Sequence, residues 1–209
     1  MLTFFGKTRG EAGKGFAILQ EVRAYWEALR IGGALPRREQ IDPRGIAGAL
    51  ENVFLVERIA PGLARFRLAG MHLTDLMGME VRGMPLSSLF DPDARPRLAE
   101  AVEQVFAGPS ALDLWLEGER GIGRPALEAR MCLLPLTGSL GEPSLALGCL
   151  ASVGAIGRGP RRFALSGMVR EPLVVRAAAA PQVAFAESPA AYLPPPPRGK
   201  PMLRLVSSR

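Results

Sequence analysis

The chain has 209 residues, of which 48% are hydrophobic, and this is enough to bury the core of one domain with an extension. Its two cysteines are too few for a disulfide framework, and it has neither a signal peptide nor a membrane-span pattern, so we expect a cytoplasmic protein. The net charge of +6 lies entirely in residues 159–209, with eight Lys and Arg against two Glu, while residues 1–158 carry 18 charges of each sign. A neutral main part argues against a dedicated nucleic-acid-binding domain.

Residues 1–14 are rich in glycine and charge, which predicts a flexible N-terminus. From Gly15 onward apolar residues recur at helical spacing, and Gly32-Gly33 ends the predicted helix. Such a stripe suits packing on the same domain, and it equally suits pairing with a second copy in a homodimer. The apolar residues of this candidate partner helix are Ile18, Val22, Tyr25, Trp26 and Leu29.

Strands and short helices follow the first helix. Residues 53–58 and 65–69 flank a Pro61-Gly62 turn and predict a hairpin. The segment "GMHLTDLMGMEVRGMPLSSLF" then breaks into short helical pieces at its glycines and proline. A longer helix is predicted in "DPDARPRLAEAVEQVFAG", and three alternating or apolar strands follow in "ALDLWLEGE", "ALEARMCLLP" and residues 145–152.

The composition changes after Gly154. Residues 155–209 are rich in Ala, Pro and basic residues, which predicts a largely disordered tail. Two islands, 161–172 and 201–209, alternate apolar and basic residues in the manner of segments that add to a sheet edge. A merely solubilising tail is the alternative interpretation.

This order of elements predicts an α+β fold, a five-stranded antiparallel sheet with a short helical crossover on one face and an N-terminal amphipathic helix. The order resembles that of PAS domains, and "LTDLMGMEVRGMPLSSLF" resembles the PAS signature. Together with the preceding segment "YWEALRIGGALPRREQIDPRGIAGALENVFLVER", residues 15–154 resemble a family of bacterial, alphaproteobacterial-type single-domain PAS proteins. The resemblance implies a sensory signalling module that lacks an output domain and acts through contacts with other proteins. In one alternative this module is a dimer.

The resemblance also implies where a ligand would lie, between the sheet and the crossover. His72 lies just past the second strand, where it can reach such a pocket. Each apolar member of the set suits plain core equally well. The residues expected to line the pocket are Phe66, Leu68, His72, Leu76, Met77, Leu89, Met131 and Leu147.

Residues for catalysis or metal binding are scarce, so we expect neither an enzyme nor a metal site. His72 is the single histidine, and Gly6-Lys7-Thr8 lacks the strand and the glycine that a phosphate loop needs. Cys132 is expected to face outward and Cys149 to lie on the other face with Leu147, which argues against a disulfide between them. No cysteine occupies the crossover, where a flavin-linked light sensor would need one.

Three functions remain open on the sequence alone. The first is signalling through protein contacts, and the second is a small-molecule sensor that uses the pocket, with no cofactor specified. In the third, the basic tail binds nucleic acid or another acidic partner.

Overall fold

The computed structural model follows the predicted order of elements and describes residues 15–138 and 141–174. The helices are α1 (Ala17–Ala28), α2 (Met71–Met77) and α3 (Arg95–Ala107). The strands are β1 (Val53–Ala60), β2 (Leu63–Ala69), β3 (Ser110–Gly118), β4 (Glu128–Thr137), β5 (Pro143–Val153) and β6 (Phe163–Pro172). Short 3-10 turns occur at Ile31–Gly33, Arg38–Gln40, Pro43–Ala49, Leu86–Leu89 and Pro92–Ala94. No helix in these described ranges is long and apolar enough to cross a membrane.

All strands belong to one antiparallel sheet of order β2-β1-β5-β4-β3-β6. The predicted α+β class and the β1–β2 hairpin are confirmed, but the sheet has six strands where five were expected. β5 lies in the interior of the sheet, and its residues 146–151 are all buried. Cover on both faces explains why this stretch of the strand has no charged side chain.

The sixth strand comes from a segment that the sequence assigned to the tail. β6 pairs with the whole length of β3, and its residues Phe163 and Leu165 are buried. The alternation in 161–172 did indicate addition to a sheet edge, and the edge proves to be that of the same domain. The prediction of a disordered tail is therefore wrong for residues 155–174. The predictions for residues 1–14 and 175–209 lie outside the described residues.

Two apolar clusters cover the two faces of the sheet. The inner cluster joins one face to α2, the following turns and α3, and includes Phe66, Leu98 and Met131. The outer cluster joins the opposite face to α1 and the turns that precede β1, and includes Val22 and Trp26. Outer positions of β4 and β5 are apolar because the helix α1 and these turns cover them.

The crossover between β2 and α3 is broken in the predicted way. α2 ends at Gly78, whose φ of +67° is left-handed and favours glycine. The chain then returns to the edge of β2, where Gly83 N donates to Phe66 O and Phe66 N donates to Met84 O. These bonds fix the crossover over the inner face.

Arg161 anchors the loops that lead into β6. Its guanidinium is fully buried and donates to the carbonyl oxygens of Glu119 at 3.0 Å, Pro125 at 2.9 Å and Ile156. Burial lowers the pKa of Arg161, and nearby Arg124 lowers it further. Backbone carbonyls thus provide the acceptors for this buried cation.

Candidate functional site

The space expected to hold a ligand is occupied by side chains of the protein. Five of the predicted pocket residues, Phe66, Leu76, Met77, Leu89 and Met131, are buried together in the inner cluster. In the same cluster the ring of Phe54 meets that of Phe66 edge-on at 5.4 Å between centroids. The ring of Phe54 also lies so close to Gly148 that a Cβ there would come within 2.1 Å of it. Glycine at this position therefore lets the ring fill the inner face.

Leu68 and Leu147 do not lie in this inner space, contrary to the prediction. A β-bulge interrupts the β1–β2 register between Leu55 and Val56, so Phe66 pairs with Val56 on the inner face while Leu68 pairs with Leu55 on the outer face. Leu147 also pairs with Leu55 and belongs to the outer cluster. Period-two alternation gave the wrong face for Leu68 because the bulge adds a residue in β2. It gave the wrong face for Leu147 because β5 is apolar on both faces.

His72 lies at the start of α2, on the rim of the inner face. Its Nε2 is 3.1 Å from the hydroxyl of Ser152 on β5. Burial lowers the pKa of His72, although the carboxylates of Asp75 and Glu51 act in the opposite direction. The lowered pKa favours the neutral ring, which links the crossover to the sheet.

The two cysteines lie on the same face, which corrects the expectation for Cys149. Cys132 and Cys149 are paired directly across β4 and β5 and are buried under α1 as free thiols. Burial raises the pKa of Cys149 to about 12 and that of Cys132 further. Burial therefore disfavours the thiolate, which is the reactive form of cysteine, at both positions. Within the described ranges no group of three or more His, Cys, Asp or Glu could hold a metal ion.

α1 packs on the outer face through a row of side chains that is rotated about the helix axis from the predicted row. Its buried residues are Leu19, Val22 and Trp26, whereas Tyr25 is half-buried. Trp26 Nε1 donates to Pro135 O at 3.0 Å. Because Val22 and Trp26 are fully buried within the same chain, they are not available to a second copy. Homodimerisation through this helix stays a prediction.

The remaining residues of the predicted stripe pack beside this contact. Ile18 and Tyr25 are partly buried against the outer cluster, and Leu29 is half-buried at the end of α1. The amide N of Asp42 donates to the hydroxyl of Tyr25 at 2.8 Å, and the Tyr25 ring rests on Gly45. The segment that begins at Tyr25, which carries part of the PAS resemblance, thus joins α1 to the turns before β1.

A cleft of about 350 Å³ opens on the outer face between α1 and strands β3 and β4. Arg130 lies in it with its guanidinium carbon 4.6 Å from the ring centroid of Phe16 and 5.9 Å from that of Trp115. On the α1 side, Arg23 donates to Asp113 at 2.7 Å and also to Glu171. Partial burial lowers the pKa of Arg23, but these two carboxylates outweigh it and the net shift is upward.

A second cleft of about 190 Å³ lies on the outer face beside β1 and β2. One wall is the turn segment from Arg38 to Leu50, and the other is formed by Leu55, Leu68 and Leu147. The sequence did not predict either cleft, because each depends on contacts between residues far apart in the chain.

The comparisons with known proteins identify the family. A family profile described as PAS domain matches residues 17–151. The chain therefore belongs to the PAS domain family, and this membership fits a role in sensory signalling. A search of curated proteins found no match.

Several solved structures are similar over part of the chain. The light-state structure of the blue-light photoreceptor Aureochrome1 LOV is 18% identical over 53% of this chain and 88% of that one, with a TM-score of 0.38. A light-oxygen-voltage domain studied with a flavin analogue is 19% identical over 53% and 83%, with a TM-score of 0.40. An RNA-binding light-oxygen-voltage receptor is 19% identical over 59% and 36%, with a TM-score of 0.39.

Proposed function

We propose that this PAS domain is a regulatory signalling module whose output is a contact with another protein, made by the outer face beside α1. The observation that carries the proposal is the stack of Phe16, Arg130 and Trp115 at the larger cleft, in which Arg130 and Trp115 are half-buried. Tryptophan and arginine are the residue types that most often dominate the energetics of protein interfaces.

The surroundings of this stack resemble the rim of an interface. Asp113, Arg23 and Glu171 form ion pairs at one side, and Glu117 and Glu128 are exposed at the other. A half-buried aromatic and cationic centre with a charged rim suits a partner of complementary charge pattern. A contact here would also sense any shift of α1, since Arg23 lies on that helix and the stack includes the residue that directly precedes it.

Affinity capture from a lysate of the native host tests the proposal. Trp115→Ser should reduce recovery of a specific signalling partner by about tenfold or more, as is common for an interface residue of this type. Ile122→Ser is the control, because Ile122 is 99% exposed in a turn away from the cleft, and recovery should be unchanged. Equal recovery by both folded variants would contradict the proposal.

A further inference from the structure

The smaller outer cleft combines an apolar interior with a single charge. Among the described residues that line it, Arg38 is the one with a charge. The apolar walls of the cleft include Ile41, Ile46, Leu50, Leu55, Leu68 and Leu147. Leu50 and Leu68 are 44% and 49% exposed, so the apolar lining of this cleft is open to solvent. An apolar surface of this kind beside one polar group is the usual character of a small-molecule site.

Arg38 is available to bind an anion. It is half-buried at the cleft, and no described carboxylate forms an ion pair with it. No described hydrogen bond uses its guanidinium, whereas nearby Asp42 accepts from the backbone N of Arg44. A guanidinium presents paired N–H groups that match the two oxygens of a carboxylate.

We propose that this cleft is a binding site for a small monocarboxylate with an apolar chain. The carboxylate would pair with Arg38, and the chain would lie against Leu55, Leu68 and Leu147. The volume of about 190 Å³ lies below the roughly 300 Å³ at which sites for drug-sized ligands begin, so the cleft suits a short ligand such as hexanoate. The single positive charge matches one carboxylate rather than a doubly charged phosphate.

Occupancy of this site would brace the connection between α1 and the sheet. One wall belongs to the turns that connect α1 with β1, and the other belongs to β1, β2 and β5. A ligand that contacts both walls favours the state in which they are close. The site lies on the sheet face opposite the inner cluster, and its existence does not depend on the protein contact proposed above.

Titration of the full chain with hexanoate, followed by methyl NMR, tests this site. Saturable shifts are expected at Leu55, Leu68 and Leu147, and hexylamine, which has the same chain with a positive head, should bind at least about tenfold more weakly. Shifts centred on Met131 in the inner cluster, or no saturable shifts at millimolar hexanoate, would overturn the proposal.

Matched variants separate the head-group contact from the apolar contact. Arg38→Gln should weaken hexanoate binding by about tenfold or more through loss of charge-assisted hydrogen bonds, whereas Arg44→Gln, an exposed neighbour that does not line the cleft, should leave binding unchanged. Leu68→Gln alters a half-exposed wall residue and should weaken binding without unfolding the protein. Equal affinity of wild type, Arg38→Gln and Leu68→Gln would refute the site.

Discussion

At the scale of single residues, Trp26 holds α1 on the sheet. Its ring is fully buried and its Nε1 donates to the carbonyl of Pro135. Trp26→Phe should lower the free energy of unfolding by about 1–3 kcal/mol, because it removes the hydrogen bond to that carbonyl and part of the buried ring. Urea unfolding measures the loss.

Trp115→Phe is the matched control for this substitution. Trp115 is only half-buried on the outer face, so the same chemical change should cost less than about 0.5 kcal/mol. Equal losses of unfolding free energy in the two variants would show that Trp26 does not hold α1 on the sheet.

His72 predicts a dependence of stability on pH. Its pKa in the folded protein is lowered from 6.5, chiefly by burial, so as pH falls below 6.5 the unfolded chain binds a proton that the folded chain binds less readily. Stability should therefore be full above pH 6.5 and decline below it until the folded pKa is reached. Urea unfolding between about pH 5 and pH 8 should show this decline, and His72→Gln should flatten it. If the stability of the His72→Gln variant declines by the same amount, the pH dependence arises from other titrating groups.

At the scale of elements, the sequence predicted which segments form helices and strands better than it predicted their faces. On β4 the predictions that Met131 faces the inner side and Cys132 the outer side are both correct, because polar residues such as Arg130 mark the outer face of that strand. Period-two alternation failed for Leu68, because a bulge in β2 changes the register, and for Leu147, because β5 is apolar on both faces. In α1 the predicted apolar row was rotated from the buried one. Tyr25 and Leu29 are apolar, but they lie beside the fully buried Trp26 and are themselves only half-buried.

β6 was not predicted as part of the domain, because the Ala- and Pro-rich composition of the tail outweighed the alternation of apolar and basic residues in 161–172. Its alternating residues were recognised, but the Ala- and Pro-rich sequence beyond them moved the predicted domain boundary to Gly154. Phe163→Ala should cost about 3–5 kcal/mol, because the ring is fully buried in the inner cluster. The matched change Val169→Ala, at an exposed position of the same strand, should cost less than about 0.5 kcal/mol in the same denaturant titration. Similar costs at both positions would contradict the burial of Phe163 in the inner cluster.

At the scale of the whole molecule, the inner and outer faces of the sheet differ in what they leave open. Large side chains of the protein itself fill the inner face, with Phe54, Phe66 and Met131 among them. The outer face is covered at its centre by α1 and has a cleft to either side. The family and the α+β class could be predicted from the sequence, whereas these clefts could not, because Phe16 and Arg130 meet only in the folded chain.

Site-specific photo-crosslinking in cells tests the central claim most directly. A crosslinker that replaces Glu117, an exposed residue at the rim of the outer-face contact, is compared with one that replaces Arg82, an exposed residue of the crossover on the opposite side. The account predicts a specific protein adduct from position 117 and little or none from position 82. An adduct from position 82 without one from position 117 would contradict the assignment of the outer face as the contact surface.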